Sequence, residues 1–398
     1  MKRRLSLDTG QIVIRGGKKE GMMVEDRLSS LPDELIHKIL FCYDMKFAVQ
    51  TCLLSSRWKL VWTSLPCLNF SSRQFHRLDK FAKFVTHVLS QRNHQIEVST
   101  VKLRFHAGVN QDFVRKIAEY AFSHNVQQLT VFGPSSCRHV YPSCLFSSQS
   151  LKHFTFTCIS YTRLLITTEA PLDFPSLTTL NLCNIILSGD VFSKCLNLKN
   201  LTLEDFYVKD MEVCDIITPQ LSNLKIIDGR CSKSINVIAP QLQNLTVINC
   251  SIGYLNAPPI LSSFCYTFQL WPCRLVQFSN DRFHSLNKVT IYLSKSKDYP
   301  TVLYKEEDAR MIINMLQHIH SVKYLTLDAD TIECISSFPD LLSQHSSPFS
   351  NLICLTIDYS KKKDALIVTM SSEARNFFLE NSPSATFTMK LPKVHSRR

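Results

Sequence analysis

Residues 242–250 read LQNLTVINC. The apolar residues Leu242, Leu245 and Val247 are spaced three and then two apart, and three upstream stretches repeat the spacing: Leu177-x-x-Leu180-x-Leu182, Leu198-x-x-Leu201-x-Leu203 and Leu221-x-x-Leu224-x-Ile226. These four units start 21, 23 and 21 residues apart. Looser copies begin at Val98, Val126, Leu151, Leu261, Leu286, Val322 and Leu352, which makes eleven; the last two intervals stretch to 36 and 30 residues and imply insertions. Several units follow a proline turn, as at Pro175, Pro219, Pro240 and Pro258-Pro259. Proline there opens a strand without needing its N–H.

Repeats of this spacing and length have the pattern of a leucine-rich-repeat solenoid. Each unit gives one short strand whose leucines point inward, and parallel stacking of units builds a continuous core. Asn249-Cys250 ends its unit as in the cysteine-containing repeat type, where a small side chain can satisfy backbone groups in the turn. The other units mostly lack that Asn or Cys and read as degenerate. The residue between the last two apolar positions points out of the strand. It is threonine in seven of the eleven units, as suits an exposed strand surface. The flanking outward positions include Phe132, Ile227, Ile248 and Tyr292, candidate anchors for a protein target, with Ile227 and Ile248 side by side on adjacent strands. On this face four basic residues (Lys102, Arg104, Lys225, Lys288) stand against three acidic ones (Glu204, Asp328, Asp358). That near-neutral balance suits a protein partner rather than a nucleic acid or a polyphosphate cofactor.

The net charge of +12 lies largely at the ends: six Lys/Arg against two acids give +4 in residues 1–24, and eight against three give +5 in residues 361–398. No run of about 18 apolar residues exists, so no membrane span is expected. The start, MKRRLSLDTG, carries no apolar segment of the secretory kind. Fifteen cysteines without a C-x-x-C pair argue against a disulfide framework and a compact zinc site. Reduced thiols in the nucleus and/or cytoplasm are the expected state. Gly-x-Ser-x-Gly, P-loop, Gly-x-Gly-x-x-Gly and His-Glu-x-x-His motifs are absent, and nine glycines leave little for phosphate-cradling loops. The expected role is non-catalytic, with no cofactor, metal, nucleic acid or membrane.

Ahead of the repeats, residues 26–70 read DRLSSLPDELIHKILFCYDMKFAVQTCLLSSRWKLVWTSLPCLNF. Pro32 suits the first position of a helix, and Asp33 and Glu34 suit its first turn. Leu35 with Ile39, and Ile36 with Leu40, form two i,i+4 apolar pairs, so the helix is apolar over a wide arc. Residues 46–54 and 55–64 read as a second and a third short helix, the third with Trp58 and Trp62 one turn apart. Three helices in about forty residues cannot bury this apolar surface alone, so part of it should face a partner.

Leu31-Pro32-Asp33-Glu34-Leu35, Leu54-Ser55-Ser56-Arg57-Trp58 and Trp62, in this order, resemble an F-box, and the whole chain resembles the plant F-box/leucine-rich-repeat family. The copy departs from the usual plant pattern at Tyr43-Asp44-Met45-Lys46-Phe47-Ala48: Met45 stands where a Thr/Ser cap is common, with Asp44 available to cap instead, and Phe47 replaces an acidic residue. The resemblance implies an α/β solenoid behind a three-helix module. It further implies a substrate-recognition subunit of an SCF-type E3 ubiquitin ligase. Leu31, Pro32, Leu35, Ile39, Val49 and Trp58 would dock a Skp-type adaptor, and through it a cullin scaffold, while the solenoid holds an unknown protein target. The alternatives are an interaction scaffold outside any ligase, a small-molecule co-receptor and, from the charged ends alone, a nucleic-acid binder. The expected organisation is a basic flexible leader (1–24), F-box (25–70), linker helix (71–95), solenoid (96–360), and C-terminal cap with basic tail (361–398). Helices are predicted over 305–319 and Ser372–Leu379.

Overall fold

The computed structural model describes residues 28–134, 141–159, 163–209, 211–269, 276–278, 283, 285–294, 304–360 and 370–391. The leader (1–24), His139, Val368-Thr369 and the last residues of the tail lie outside the described residues.

The helices of the N-terminal module are α1 (Asp33–Phe41), α2 (Met45–Gln50) and α3 (Trp58–Val61); single 3-10 turns at Thr51–Leu53 and Trp62–Ser64 lengthen the last two. The next helix, α4 (Leu78–Gln91), lies within the predicted linker. The strands are β1 (Cys67–Ser71), β2 (Thr100–Arg104), β3 (Gln128–Gly133), β4 (His153–Cys158), β5 (Leu164–Thr167), β6 (Thr179–Ser188), β7 (Asn200–Val208), β8 (Val213–Ile217), β9 (Asn223–Ile227), β10 (Arg230–Ile238), β11 (Asn244–Ile248), β12 (Ser251–Asn256), β13 (Ser263–Phe268), β14 (Gln277–Phe278), β15 (Lys288–Leu293), β16 (Tyr324–Asp328), β17 (Cys354–Asp358) and β18 (Thr386–Lys390). The solenoid helices are α5 (Gln111–Ser123), α6 (Glu306–Gln317), α7 (Ala329–Ser336), α8 (Pro339–Ser343) and α9 (Ser372–Leu379). The α6 and α9 spans agree with the predicted helices.

Each of the eleven predicted units carries its strand, beginning two residues after its first apolar residue. These strands pair in parallel and in register, so Leu201, Leu224, Leu245 and Phe264 form one inward row and Leu203, Ile226, Val247 and Tyr266 the next. All eight are at most 2% exposed. Two further strands extend the ladder. β1 is the last piece of the predicted F-box segment, yet it pairs with β2 from Cys67↔Thr100 to Ser71↔Arg104. Leu65-x-x-Leu68-x-Phe70 repeats the three-then-two spacing, so the boundary at residue 70 falls inside the sheet. At the other end β18, in the predicted cap, pairs with β17.

One strand per unit is not the whole arrangement. In the middle of the chain a second parallel ladder backs the first, formed by β5, the outer halves of β6 and β7, β8, β10, β12 and β14. Unit length decides the backing. The 21- and 23-residue units have room for a strand and a tight corner but not for a helix and its return, whereas the intervals of 28, 36 and 30 residues house α5, α6 and α7 with α8. The corner between the two ladders falls at one repeat position, Asn184, Asp205, Asp228 and Asn249, with φ of 59°, 46°, 49° and 50°. Asn and Asp tolerate this left-handed backbone better than other side-chain-bearing residues. The asparagine itself is scarce, as expected, but Asp205 and Asp228 take the same corner conformation, so four successive units share it. Cys250 lies just behind, its Sγ accepting from the Gly229 N–H at 3.4 Å. Gly229 is required because a Cβ there would stand 2.3 Å from the Phe206 ring.

Two predicted surface acids are interior. Asp328 and Asp358 are 6% and 4% exposed. After β16 the chain turns straight into α7, so Asp328 becomes its cap and accepts from the N–H groups of Thr331 and Leu293, each at 3.0 Å. Burial pushes its carboxyl up to about 6 against those donors. Asp358 accepts from Tyr292 Oη and Lys390 Nζ, each at 3.0 Å, and from the Ser360 N–H at 2.8 Å. Burial alone would raise this carboxyl, but the donors outweigh it and hold it at about 2.

Replacing Gly229 with Val should lower stability by about 1–3 kcal/mol through overpacking against Phe206, read as a drop in urea midpoint without a change in slope. Asp358→Asn should cost about 1–3 kcal/mol at pH 7: with its one oxygen on the Ser360 N–H, the amide turns an NH2 toward the Tyr292 hydroxyl and the Lys390 ammonium. Because the folded carboxyl is depressed, its contribution is present above the ordinary carboxylate range near 4 and fades as pH falls toward 2. Thermal unfolding should show the same gap between variant and wild type at pH 7 and 5 and a narrower one at pH 3.

Candidate functional site

The two apolar pairs of α1 separate onto opposite sides. Ile36 and Leu40 are 0% and 3% exposed, within a core that also holds Met45, Ala48, Trp58, Val61, Trp62 and Leu65. Leu35 and Ile39 remain 43% and 40% exposed. Leu28, Leu53, Leu54 and Leu60 of the same module are exposed as well. So many large apolar side chains on one small module mark an interaction surface rather than scattered surface residues.

The module is braced so that this surface is held in shape. The Pro32 carbonyl accepts from the N–H groups of Leu35 (3.0 Å) and Ile36 (3.2 Å), so Pro32 immediately precedes the helix rather than occupying its first position. Arg57 ion-pairs with Asp33 at 3.0 Å and donates to the Ser29 carbonyl; Ser29 and Ser55 hydroxyls meet at 2.8 Å. The Ser55–Arg57 segment thereby ties the start of α1 to the start of α3. Asp44 caps α2 through the Phe47 N–H at 3.2 Å, as expected from its position, and also accepts from Gln74 Nε2 at 2.9 Å. Met45, in place of the usual cap residue, is buried. On the solenoid side, Arg92 is 3% exposed and donates to the carbonyls of Leu65 and Ile96 at 2.7 and 2.8 Å, fastening the end of α4 to the base of the module.

Of the residues expected to dock an adaptor, Pro32, Leu35 and Ile39 are exposed along α1, and Leu31 and Val49 are half-buried. Trp58 differs from the other five: at 3% exposure it belongs to the core and is not presented on the surface. Missed residues are Leu53, Leu54 and Leu60, exposed at 85%, 59% and 67%. Their signal was an apolar residue too many for a core this small.

On the solenoid, Phe132, Ile227, Ile248 and Tyr292 are all half-buried on the outward face. Ile227 and Ile248 are register partners, and Thr267 and Tyr292 continue the same row across the next two strands. Phe132 lies apart, four strands from Ile227. Tyr292 is committed to Asp358. With Asp328 and Asp358 buried, the exposed acid of the predicted set is Glu204, against Lys102, Arg104, Lys225 and Lys288. The face is basic rather than near-neutral.

Among the described residues no group of three His, Cys, Asp or Glu side chains could hold a metal ion, and no helix is long and apolar enough to cross a membrane.

Comparison with known families agrees with this architecture. The F-box domain matches residues 28–70. The family described as "FBD-associated F-box protein At5g56370, LRR repeats" matches residues 114–258. Among relatives in Arabidopsis thaliana, the putative F-box/FBD/LRR-repeat protein At4g03220 is 30% identical over 82% of this chain and 67% of its own length. The F-box/LRR-repeat protein At5g02910 is 25% identical over 81% of this chain and 64% of its own. The F-box/FBD/LRR-repeat protein At3g51530 is 29% identical over 54% and 48%. The chain thus spans between about half and two thirds of these relatives. With an F-box at its front, repeats of the matching kind behind it and this extent of similarity, the chain belongs to the plant F-box/leucine-rich-repeat protein family.

Proposed function

We propose that this protein is the substrate-recognition subunit of an SCF-type ubiquitin ligase. Its F-box docks a Skp-type adaptor, and through it a cullin scaffold, and its solenoid captures a protein target. The observation that carries the reading is the outward stripe of α1: Leu35 and Ile39 are exposed although each lies one residue from a fully buried partner. A helix apolar on both sides is complete only when a second protein covers the outer one. F-box domains generally meet such an adaptor.

The role requires no reacting side chain. Holding a target beside a ubiquitin-loaded enzyme raises its effective concentration there, and a rigid grip keeps the geometry productive. In-register pairing of β1 with β2 supports that rigidity, because it makes the last piece of the F-box the first strand of the grip. The row Ile227, Ile248 supplies an apolar centre for capture, within a polar threonine ladder suited to a protein rim. A nuclear and/or cytoplasmic setting fits the cysteine usage.

Adaptor pull-down tests the first half. Wild type should be retained, and Leu35→Asp with Ile39→Asp should reduce retention at least tenfold with unfolding temperature unchanged. Ile36→Ala should instead cost about 2–4 kcal/mol of stability. A folded wild type indifferent to Skp relatives would overturn the ligase reading in favour of a non-ligase scaffold. For the second half, Ile227→Asp with Ile248→Asp should remove the target from affinity purifications under proteasome inhibition while the adaptor is still recovered.

A further inference from the structure

The residues by which this F-box departs from the plant pattern do not spread over the docking face. Tyr43 and Phe47 stand edge-to-face, with ring centroids 6.3 Å apart, on the side of the module that meets the sheet. There, with Asn69, Arg73, Gln74 and Arg104, they line a cleft of about 290 Å³ between the α1–α2 turn and the first two strands. Arg104 stands opposite Ser71 in the β1–β2 register. Both Arg73 and Arg104 are exposed, and neither forms an ion pair among the described residues. The one carboxylate lining the cleft, Asp44, is occupied by the Phe47 N–H and by Gln74 Nε2. Two more cations flank the site: Lys46 Nζ donates to the Gln74 carbonyl at 2.9 Å, and Lys102 Nζ sits 4.6 Å from the Phe41 ring centroid. Four cations therefore stand against one committed acid at the end of an outward face that is itself basic.

We infer that this junction cleft is an anion-recognition pocket for the captured polypeptide: an acidic side chain of the target, carboxylate or phosphomonoester, enters between the F-box and the first strands and is clamped by Arg73 and Arg104. The inference rests on the reading that the solenoid captures a polypeptide. Guanidinium groups match carboxylate and phosphate geometry in a fork, and charge-assisted bonds of this kind are short and strong. The Asn69 and Gln74 amides already donate once each, to the Tyr43 carbonyl and to Asp44, and keep a second N–H to offer; the Tyr43 and Phe47 rings give the aliphatic stem of the entering residue an apolar wall. Placed here, the pocket would fix one end of an extended segment close to the adaptor, while Ile227 and Ile248 hold its apolar part farther along the ladder.

The test uses the full chain in complex with its adaptor and four fluorescein-labelled probes. Three are Gly/Ser decapeptides with a central run of three glutamates, three phosphoserines or three glutamines; the fourth is a 20-nucleotide oligo(dT). Competition with inorganic phosphate is added. Fluorescence anisotropy should show the glutamate or the phosphoserine peptide, or both, binding at least tenfold more tightly than the glutamine peptide; which of them binds identifies the source of the anion. Arg73→Gln with Arg104→Gln should remove that preference and flatten its salt dependence, whereas Lys288→Gln, far along the same face, should leave it unchanged. Adaptor capture should survive all three substitutions. Equal binding of acidic and neutral peptides, equal loss with Lys288→Gln, binding of phosphate ion alone, or tighter arginine-dependent binding of oligo(dT) than of any peptide would each overturn the inference. Loss of adaptor capture by wild type would sink the ligase reading and leave the pocket standing; the reverse result would leave the ligase reading intact.

Discussion

No repeat of this chain can bury its own inward side chains. Leu245 and Val247 are covered only because Leu224 and Ile226 stand in register on one side and Phe264 and Tyr266 on the other. A five-residue strand offers two such inward positions, far too little apolar area to offset the entropy of ordering a unit of about twenty residues. Stability is therefore a property of neighbours, as in any quasi-one-dimensional stack. Side chains reinforce the register on the outward face: Asn244 Nδ2 donates to Asn223 Oδ1 at 2.7 Å, and Asn223 Nδ2 donates to Asn200 Oδ1 at 2.8 Å. A slip of one residue would break this amide ladder and turn the leucines to water.

The same dependence explains both ends. At the front, β1 covers the first predicted unit, and the helices of the F-box module rest on it. At the back, β18 closes β17 but has nothing beyond it among the described residues. Its inward residues Phe387 and Met389 are 40% and 49% exposed, although their register partners Leu355 and Ile357 are buried. α9 shields part of this end with Ala374, Phe377 and Phe378.

The inner ladder was legible because its signal is local and periodic: apolar spacing alone placed eleven of its thirteen strands. The backing was not, because what lies behind a strand depends on how many residues remain before the next one, a quantity that apolar spacing does not express. Asp328 and Asp358 were misplaced for a related reason. Alternation predicts an outward side chain only while the strand continues, and at these positions it ends, so the carboxylate becomes a cap or an ion-pair acceptor. In the F-box, the amphipathic pattern of α1 identified two stripes but not which one faces inward. That choice is made by the core of the module, in which Ile36 and Leu40 are buried together with Trp58 while Leu35 and Ile39 stay exposed. Trp58 stood among the expected docking residues because the F-box resemblance implied it; at 3% exposure it lies in the core.

Since the F-box ends as a strand of the solenoid sheet, the molecule has a built-in ruler. Neighbouring strands lie about 4.8 Å apart, and Ile227 on β9 is six steps along the inner ladder from β1, or about 29 Å along its arc. Gaining or losing one unit between them would shift Ile227 by a single tread without disturbing the F-box. Evolution can thus adjust the distance between the F-box and any point on the outward face in discrete increments.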